Sequence, residues 1–154
     1  LRELLEMAGG VKGGKQLKSV LFGGAAGAFA TTEHLDVKMT FEDLRNVGLP
    51  LGSGVVMVFD ETRDMRSVLK SLGHFFAHES CGKCTTCREG TYWMSNLTER
   101  IHHGTGTTAD VDLLLNVAKQ MQGKCLCALG EFSTMAVVTG IERFRKDFDK
   151  AVKA

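Results

Sequence analysis

The sequence predicts an α+β protein in two parts, a Gly-rich domain of short strands and helices over residues 1–62 and a helical domain over residues 63–154. Three observations predict it. Apolar residues in the first part come in short runs separated by Gly pairs. From Asp60-Glu61-Thr62 onward they recur at helical spacing, with few strand signals. All five cysteines fall in the second part, in two clusters at expected helix ends.

Leu1, Leu4, Leu5 and Ala8 share one face of a short first helix, which Gly9-Gly10 stops. Gly13-Gly14 marks a turn, and Ser19 to Phe22 reads as a short apolar strand followed by a loop over Gly23-Gly24-Ala25-Ala26-Gly27. Thr40 has the chemistry of an N-cap, with Asp43 at the third helical position, and that helix ends at Gly48-Leu49-Pro50. Val55 to Phe59 is a continuous apolar run, the pattern of a buried central strand.

In the second part, Val68, Leu69, Leu72, Phe75 and Phe76 predict the apolar face of one helix. Tyr92, Trp93, Leu97 and Ile101 predict that of the next, as core residues, and Gly104-Thr105-Gly106 forms the turn that ends it. Thr107 with Asp110 opens a third helix, striped by Leu113, Leu114, Val117, Ala118 and Met121 and ended by Gly123. A fourth opens at Ser133 and runs through Ala136, Val137 and Ile141.

Nineteen basic against 18 acidic side chains give a formal charge of +1, so no broad basic field exists to hold nucleic acid. No apolar run approaches the ~20 residues that span a bilayer. The acidic, amphipathic start Leu1-Arg2-Glu3-Leu4-Leu5-Glu6 is not a secretory signal. An odd cysteine count without such a signal argues against a disulfide framework and for metal-binding thiols in a reducing compartment.

The first cluster is Cys81-Gly82-Lys83-Cys84-Thr85-Thr86-Cys87, a C-x-x-C-x-x-C run. Three thiolates so spaced wrap one face of a cube of iron and sulfide, and a [4Fe–4S] cluster needs one thiolate per iron. The fourth comes from Cys125 or Cys127, in Lys124-Cys125-Leu126-Cys127, between which spacing does not choose. Lys83 and Arg88 place positive charge beside the site, which raises a cluster's potential. The competing reading is a structural zinc in a non-redox interaction module; zinc sites ordinarily pair two C-x-x-C knuckles, and three even Cys with one remote Cys fits a cubane better.

Weaker signals carry less. Gly9 to Lys15 spells G-x-x-x-x-G-K, but Gln16 lacks the hydroxyl for Mg²⁺ and the preceding residues are helical. Gly104-Thr105-Gly106-Thr107-Thr108-Ala109 follows no buried strand and is a helix–helix turn. His74 and His78 lie four apart without a third His, the spacing of surface or packing histidines.

Taken together, Glu79-Ser80-Cys81-Gly82-Lys83-Cys84-Thr85-Thr86-Cys87-Arg88-Glu89-Gly90-Thr91 and Cys127-Ala128-Leu129-Gly130 closely resemble one family. They look like the C-terminal part of the NADH-binding flavoprotein subunit of respiratory complex I, the F subunit in bacteria. The diaphorase subunits of NAD-linked hydrogenases and formate dehydrogenases share the module. The segments Ala8-Gly9-Gly10, Gly13-Gly14-Lys15, Gly23-Gly24 and Leu51-Gly52-Ser53-Gly54 resemble its soluble-ligand-binding β-grasp domain, a ubiquitin-like fold. The remainder resembles its all-α helical bundle.

The resemblance implies cluster ligands at Cys81, Cys84, Cys87 and Cys127, the last because the family's fourth Cys precedes Ala-Leu-Gly. Cys125 is then an addition, expected to be a buried free thiol. It also implies FMN and NAD(H) in the parent protein, bound through an Arg-Gly-Gly-Ala-Gly-Phe loop that nothing in this sequence matches. The expected function is an electron-transfer module of an NADH dehydrogenase. The expected partners are the flavin/NADH-binding portion, a small thioredoxin-like [2Fe–2S] subunit and a large multi-cluster subunit. The expected location is the cytoplasm or the cytoplasmic face of the inner membrane.

Overall fold

The computed structural model describes residues 1–150 and Val152, and the chain mixes helix and strand in two compact units, Leu1–Arg63 and Asp64–Ala154.

In the first unit, β1 (Leu17–Phe22) lies between β2 (Ala28–Ala30) and β3 (Val56–Asp60), antiparallel to both. Val20 pairs with Ala30 on one side and Val58 on the other. The central strand is therefore β1, and its Val20, Leu21 and Phe22 are fully buried with Phe29, Ala30 and Leu44. Each such large side chain contributes about 1.5–3 kcal/mol on leaving water. The expectation for Val55 to Phe59 is corrected here: β3 is an edge, with Met57 44% and Val58 40% exposed. A run of apolar residues reports hydrophobicity, not how many strands flank it. The helices α1 (Arg2–Met7) and α2 (Phe41–Asn46) complete the unit. The Thr40 hydroxyl accepts the Asp43 N–H at 3.1 Å, as its capping chemistry requires.

The second unit consists of α3 (Met65–Glu79), α4 (Thr85–His102), α5 (Thr108–Met121) and α6 (Ala128–Asp149). α3 packs on α4, α4 on α5, α5 on α6, and α6 back on α3. The seams are apolar at helical spacing: Met65, Leu69 and Phe76 on α3, Val111, Leu114, Ala118 and Met121 on α5, and Ala136, Val137 and Ile141 on α6. Gly140 lets α6 settle on Leu69, whose Cδ1 would stand 3.2 Å from any Cβ added there.

On α4 the buried stripe is Cys87, Thr91, Met94, Leu97, Thr98 and Ile101. Tyr92 and Trp93, expected in the core, are 58% and 53% exposed. One residue is 100° of helical rotation, and the stripe is phased by the small Thr91 and by Met94 instead. Phe75 and Leu113 face outward for the same reason. The fourth helix begins at Ala128, not Ser133. No helix among the described residues is long and apolar enough to cross a membrane.

Candidate metal centre

Both cysteine clusters sit where helices begin. α3 ends at Ser80, the chain turns through Cys81-Gly82-Lys83, and Cys84 is the N-cap of α4 with Cys87 in its first turn. After α5, the chain turns at Gly123 and reaches Cys127, the N-cap of α6. Neither cysteine makes a side-chain cap hydrogen bond. A Ser, Thr or Asp in its place would stabilise the helix by about 1 kcal/mol, so cysteine here sacrifices local stability and leaves its sulfur unused by the helix's own amides. Helix N-termini present partial positive charge, which favours thiolates.

One hydrogen bond joins the two cysteine segments, and four more order the first. The Leu126 N–H donates to Cys84 Sγ at 3.3 Å, bringing the second cysteine segment against the first. The Ser80 hydroxyl lies 3.4 Å from Cys87 Sγ, and its oxygen accepts the Gly82 N–H at 3.4 Å. Arg88 donates from Nη1 to the Gly82 carbonyl at 2.8 Å and from Nε to Glu89 at 2.8 Å. Gly82 has φ +75, a left-handed conformation other residues resist, so the turn between Cys81 and Cys84 depends on it.

Cys87 is buried, Cys84 and Cys125 are half-buried, and Cys81 and Cys127 are exposed. Cys125 is thus less enclosed than a buried free thiol would be. Its side chain fills the space over Gly130, where an added Cβ would collide with its sulfur and stand 3.6 Å from Cys87 Cβ. Burial pushes the Cys125 thiol up, reinforced by negative charge from Cys87, Cys84, Glu131 and Cys127. Lys83 is exposed and carries its ammonium on the same loop as Cys81 and Cys84. The Glu131 carboxylate accepts the Gly123 N–H, pinning the turn before Cys125 to α6.

Among the described residues, no three His, Cys, Asp or Glu side chains are drawn together as a closed metal site. The donor set nevertheless fits an iron–sulfur cluster: every candidate is a soft thiol, Cys84 and Cys127 cap α4 and α6, the Leu126 amide reaches Cys84, and Cys87 and Cys125 border the same space over Gly130. Metal sites are commonly completed by the metal itself. His74 and His78 do not converge on a metal, and His78 faces Glu79 at 3.1 Å. Ser80, the Leu126 amide and Glu131 were not among the residues singled out by sequence. Ser80 adjoins the first Cys and so was open to notice; a backbone donor leaves no sequence signal.

The model of one family, the NADH-ubiquinone oxidoreductase-F iron-sulfur binding region, matches residues 67–151. The chain is 41% identical to the F subunit of NADH-quinone oxidoreductase from Mycobacterium tuberculosis, over 96% of this chain and 33% of that protein. It is 39% identical to the Streptomyces coelicolor protein of the same name, over 99% and 34%. It thus spans roughly a third of the length of these relatives. Among solved structures it is similar to the NAD+-reducing [NiFe]-hydrogenase in the air-oxidised state. The TM-score is 0.81 at 30% identity, covering 90% of this chain and 24% of the other.

Proposed function

Because the chain belongs to the family of the NADH-ubiquinone oxidoreductase-F iron-sulfur binding region, we propose that it is an electron-transfer module of an NADH dehydrogenase, holding one [4Fe–4S] cluster on Cys81, Cys84, Cys87 and Cys127. The observation that carries this is the Leu126–Cys84 hydrogen bond, which joins the remote cysteine segment to the C-x-x-C-x-x-C turn.

When bound, such a cluster accepts and releases single electrons. The chain's own residues place it and tune it. The four thiolates hold iron. The Leu126 N–H and Ser80 hydroxyl withdraw charge from Cys84 and Cys87 sulfur, which raises the potential. Lys83 and Arg88 add positive charge in the same direction, and Arg88 also fixes the Gly82 carbonyl and with it the turn.

In the proposed parent enzyme, NADH reduces FMN on a portion of the protein outside this sequence. Electrons then pass through this site to a small thioredoxin-like [2Fe–2S] subunit and a large multi-cluster subunit. We assign the parent to NADH:quinone oxidoreductase, the name carried by the curated relatives. The likeness to an NAD+-reducing hydrogenase supports the alternative, a soluble diaphorase component of a hydrogenase or formate dehydrogenase. Within this reading Leu1–Arg63 is a β-grasp domain, α3 to α6 are a helical bundle, and the protein works in the cytoplasm or on the cytoplasmic face of the inner membrane.

The test is iron and acid-labile sulfide content on anaerobically purified protein, with EPR before and after dithionite. About four irons and four sulfides per chain, with a signal appearing on reduction, is the expected result. One zinc and no sulfide would overturn it in favour of a structural metal.

A further inference from the structure

A cubane has four irons and takes four thiolates, yet this site contains five thiols. The fifth, Cys125, lies inside the site. Its side chain fills the gap over Gly130, and an added Cβ there would stand 2.7 Å from Cys125 Cβ and 3.6 Å from Cys87 Cβ. Cys125 and Cys87 therefore border the same small space. Leu126, the residue between Cys125 and Cys127, donates its N–H to Cys84 Sγ at 3.3 Å. That bond anchors the middle of the Cys-Leu-Cys segment on a ligand sulfur and leaves one thiol on each side of the anchor. Two residues of chain extend at most about 7 Å, so the backbones of Cys125 and Cys127 are no farther apart than that. The two differ in exposure: Cys127 is open to solvent, and Cys125 is half-buried on the Cys87 side.

From this geometry we propose that Cys125 is a second fourth ligand, interchangeable with Cys127 at one iron of the cluster. The inference rests on the cluster reading above. The exchange is a ligand substitution without redox change: the bond from Cys127 sulfur to iron breaks and the bond from Cys125 sulfur forms. The proton given up by the Cys125 thiol is taken, through solvent, by the released Cys127 thiolate. Iron and sulfide keep their oxidation states. The inward thiolate holds the cluster in a drier setting than the exposed one, so the two ligation states differ in potential and in EPR signature.

The test uses this chain, purified anaerobically, as wild type, Cys125→Ser, Cys127→Ser, Cys127→Ala, the double Cys125→Ala/Cys127→Ala variant and Cys84→Ala. Iron, sulfide, EPR after dithionite and far-ultraviolet circular dichroism are measured on each. Both single variants at Cys125 and Cys127 are expected to keep about four irons and four sulfides, and Cys127→Ser to show a shifted EPR signal. The double Cys125→Ala/Cys127→Ala variant and Cys84→Ala are expected to fall to about three irons or fewer. Cys127→Ala, which cannot ligate through oxygen, should behave as Cys127→Ser. Loss of the cluster in Cys127→Ser and Cys127→Ala at wild-type helicity would overturn the proposal and leave the cluster reading standing. Loss in Cys125→Ser alone would also overturn it, making Cys125 the obligatory ligand. A wild-type chain without sulfide would sink the cluster reading itself, and the exchange with it.

Discussion

The backbone N–H of Leu126 points at the sulfur of Cys84 across 3.3 Å, although 42 residues separate them in sequence. A donor on a ligand sulfur stabilises the more negative, reduced state of a cluster and so raises its potential. Leu126→Pro deletes that donor. The expected outcome is a more negative midpoint in an EPR-monitored redox titration, with iron and sulfide unchanged. Leu126→Ala keeps the N–H, and the wild-type side chain is 85% exposed, so this variant should titrate as wild type. Equal midpoints in all three proteins would remove the hydrogen bond from the account of tuning.

The α3–α4 crossing depends on Gly73. A Cβ there would stand 2.9 Å from Thr98 Oγ1 and 3.4 Å from Ser95 Cα. The hydroxyl is committed to the Met94 carbonyl at 2.9 Å, so it does not swing aside freely, and the Ser95 contact is backbone. Gly73→Ala should cost about 1–3 kcal/mol through overpacking, read as a lowered melting temperature. Adding Thr98→Ala should recover only part of the loss, because Ser95 Cα remains.

The start of α5 is held by a reciprocal cap. Thr107 Oγ1 accepts the Asp110 N–H at 3.3 Å, and Asp110 accepts the Thr107 N–H at 2.7 Å. Thr107→Ala should destabilise the chain by about 1 kcal/mol in a denaturant titration, while Thr107→Ser should lie within a few tenths of wild type. A null effect would mean that α5 is held by its packed face alone.

These caps were legible in the sequence because their chemistry is local: Thr40 with Asp43, and Thr107 with Asp110, bond within three residues of one another. The C-x-x-C-x-x-C run was legible for the same reason. The α4 stripe was not, because Tyr92, Trp93 and Met94 are adjacent large apolar residues, and a one-residue choice among them rotates the buried face by 100°. Val55 to Phe59 reads as strongly apolar, but only pairing shows that β1 takes the centre and β3 the edge. β2 is three residues long and follows a Gly-rich loop, too short for alternation to register. The link from Leu126 to Cys84 is made by a main-chain amide, which any residue but proline would supply.

Asp60 closes the first unit's edge strand and is held to about pKa 2, first by the Thr62 hydroxyl, then by the Thr62 N–H at 2.8 Å and by Lys15 Nζ at 3.2 Å. A folded-state pKa below the unfolded value of about 3.8 means the charged form is favoured by folding. Its contribution is therefore fully present above pH 4, and it is lost as pH falls through the interval from about 3.8 to about 2. Thr62→Val removes the largest cause and keeps the shape. The Asp60 carboxyl should then titrate closer to 3.8 in a carbon-detected NMR experiment, and acid unfolding of the first unit should lose part of its pH dependence in that interval. Lys15→Met should move the titration in the same direction by less, since the ammonium acts across a longer and more exposed contact. A larger shift from Lys15→Met than from Thr62→Val would invert that order and make the ion pair, not the turn hydroxyl, the group that keeps Asp60 charged.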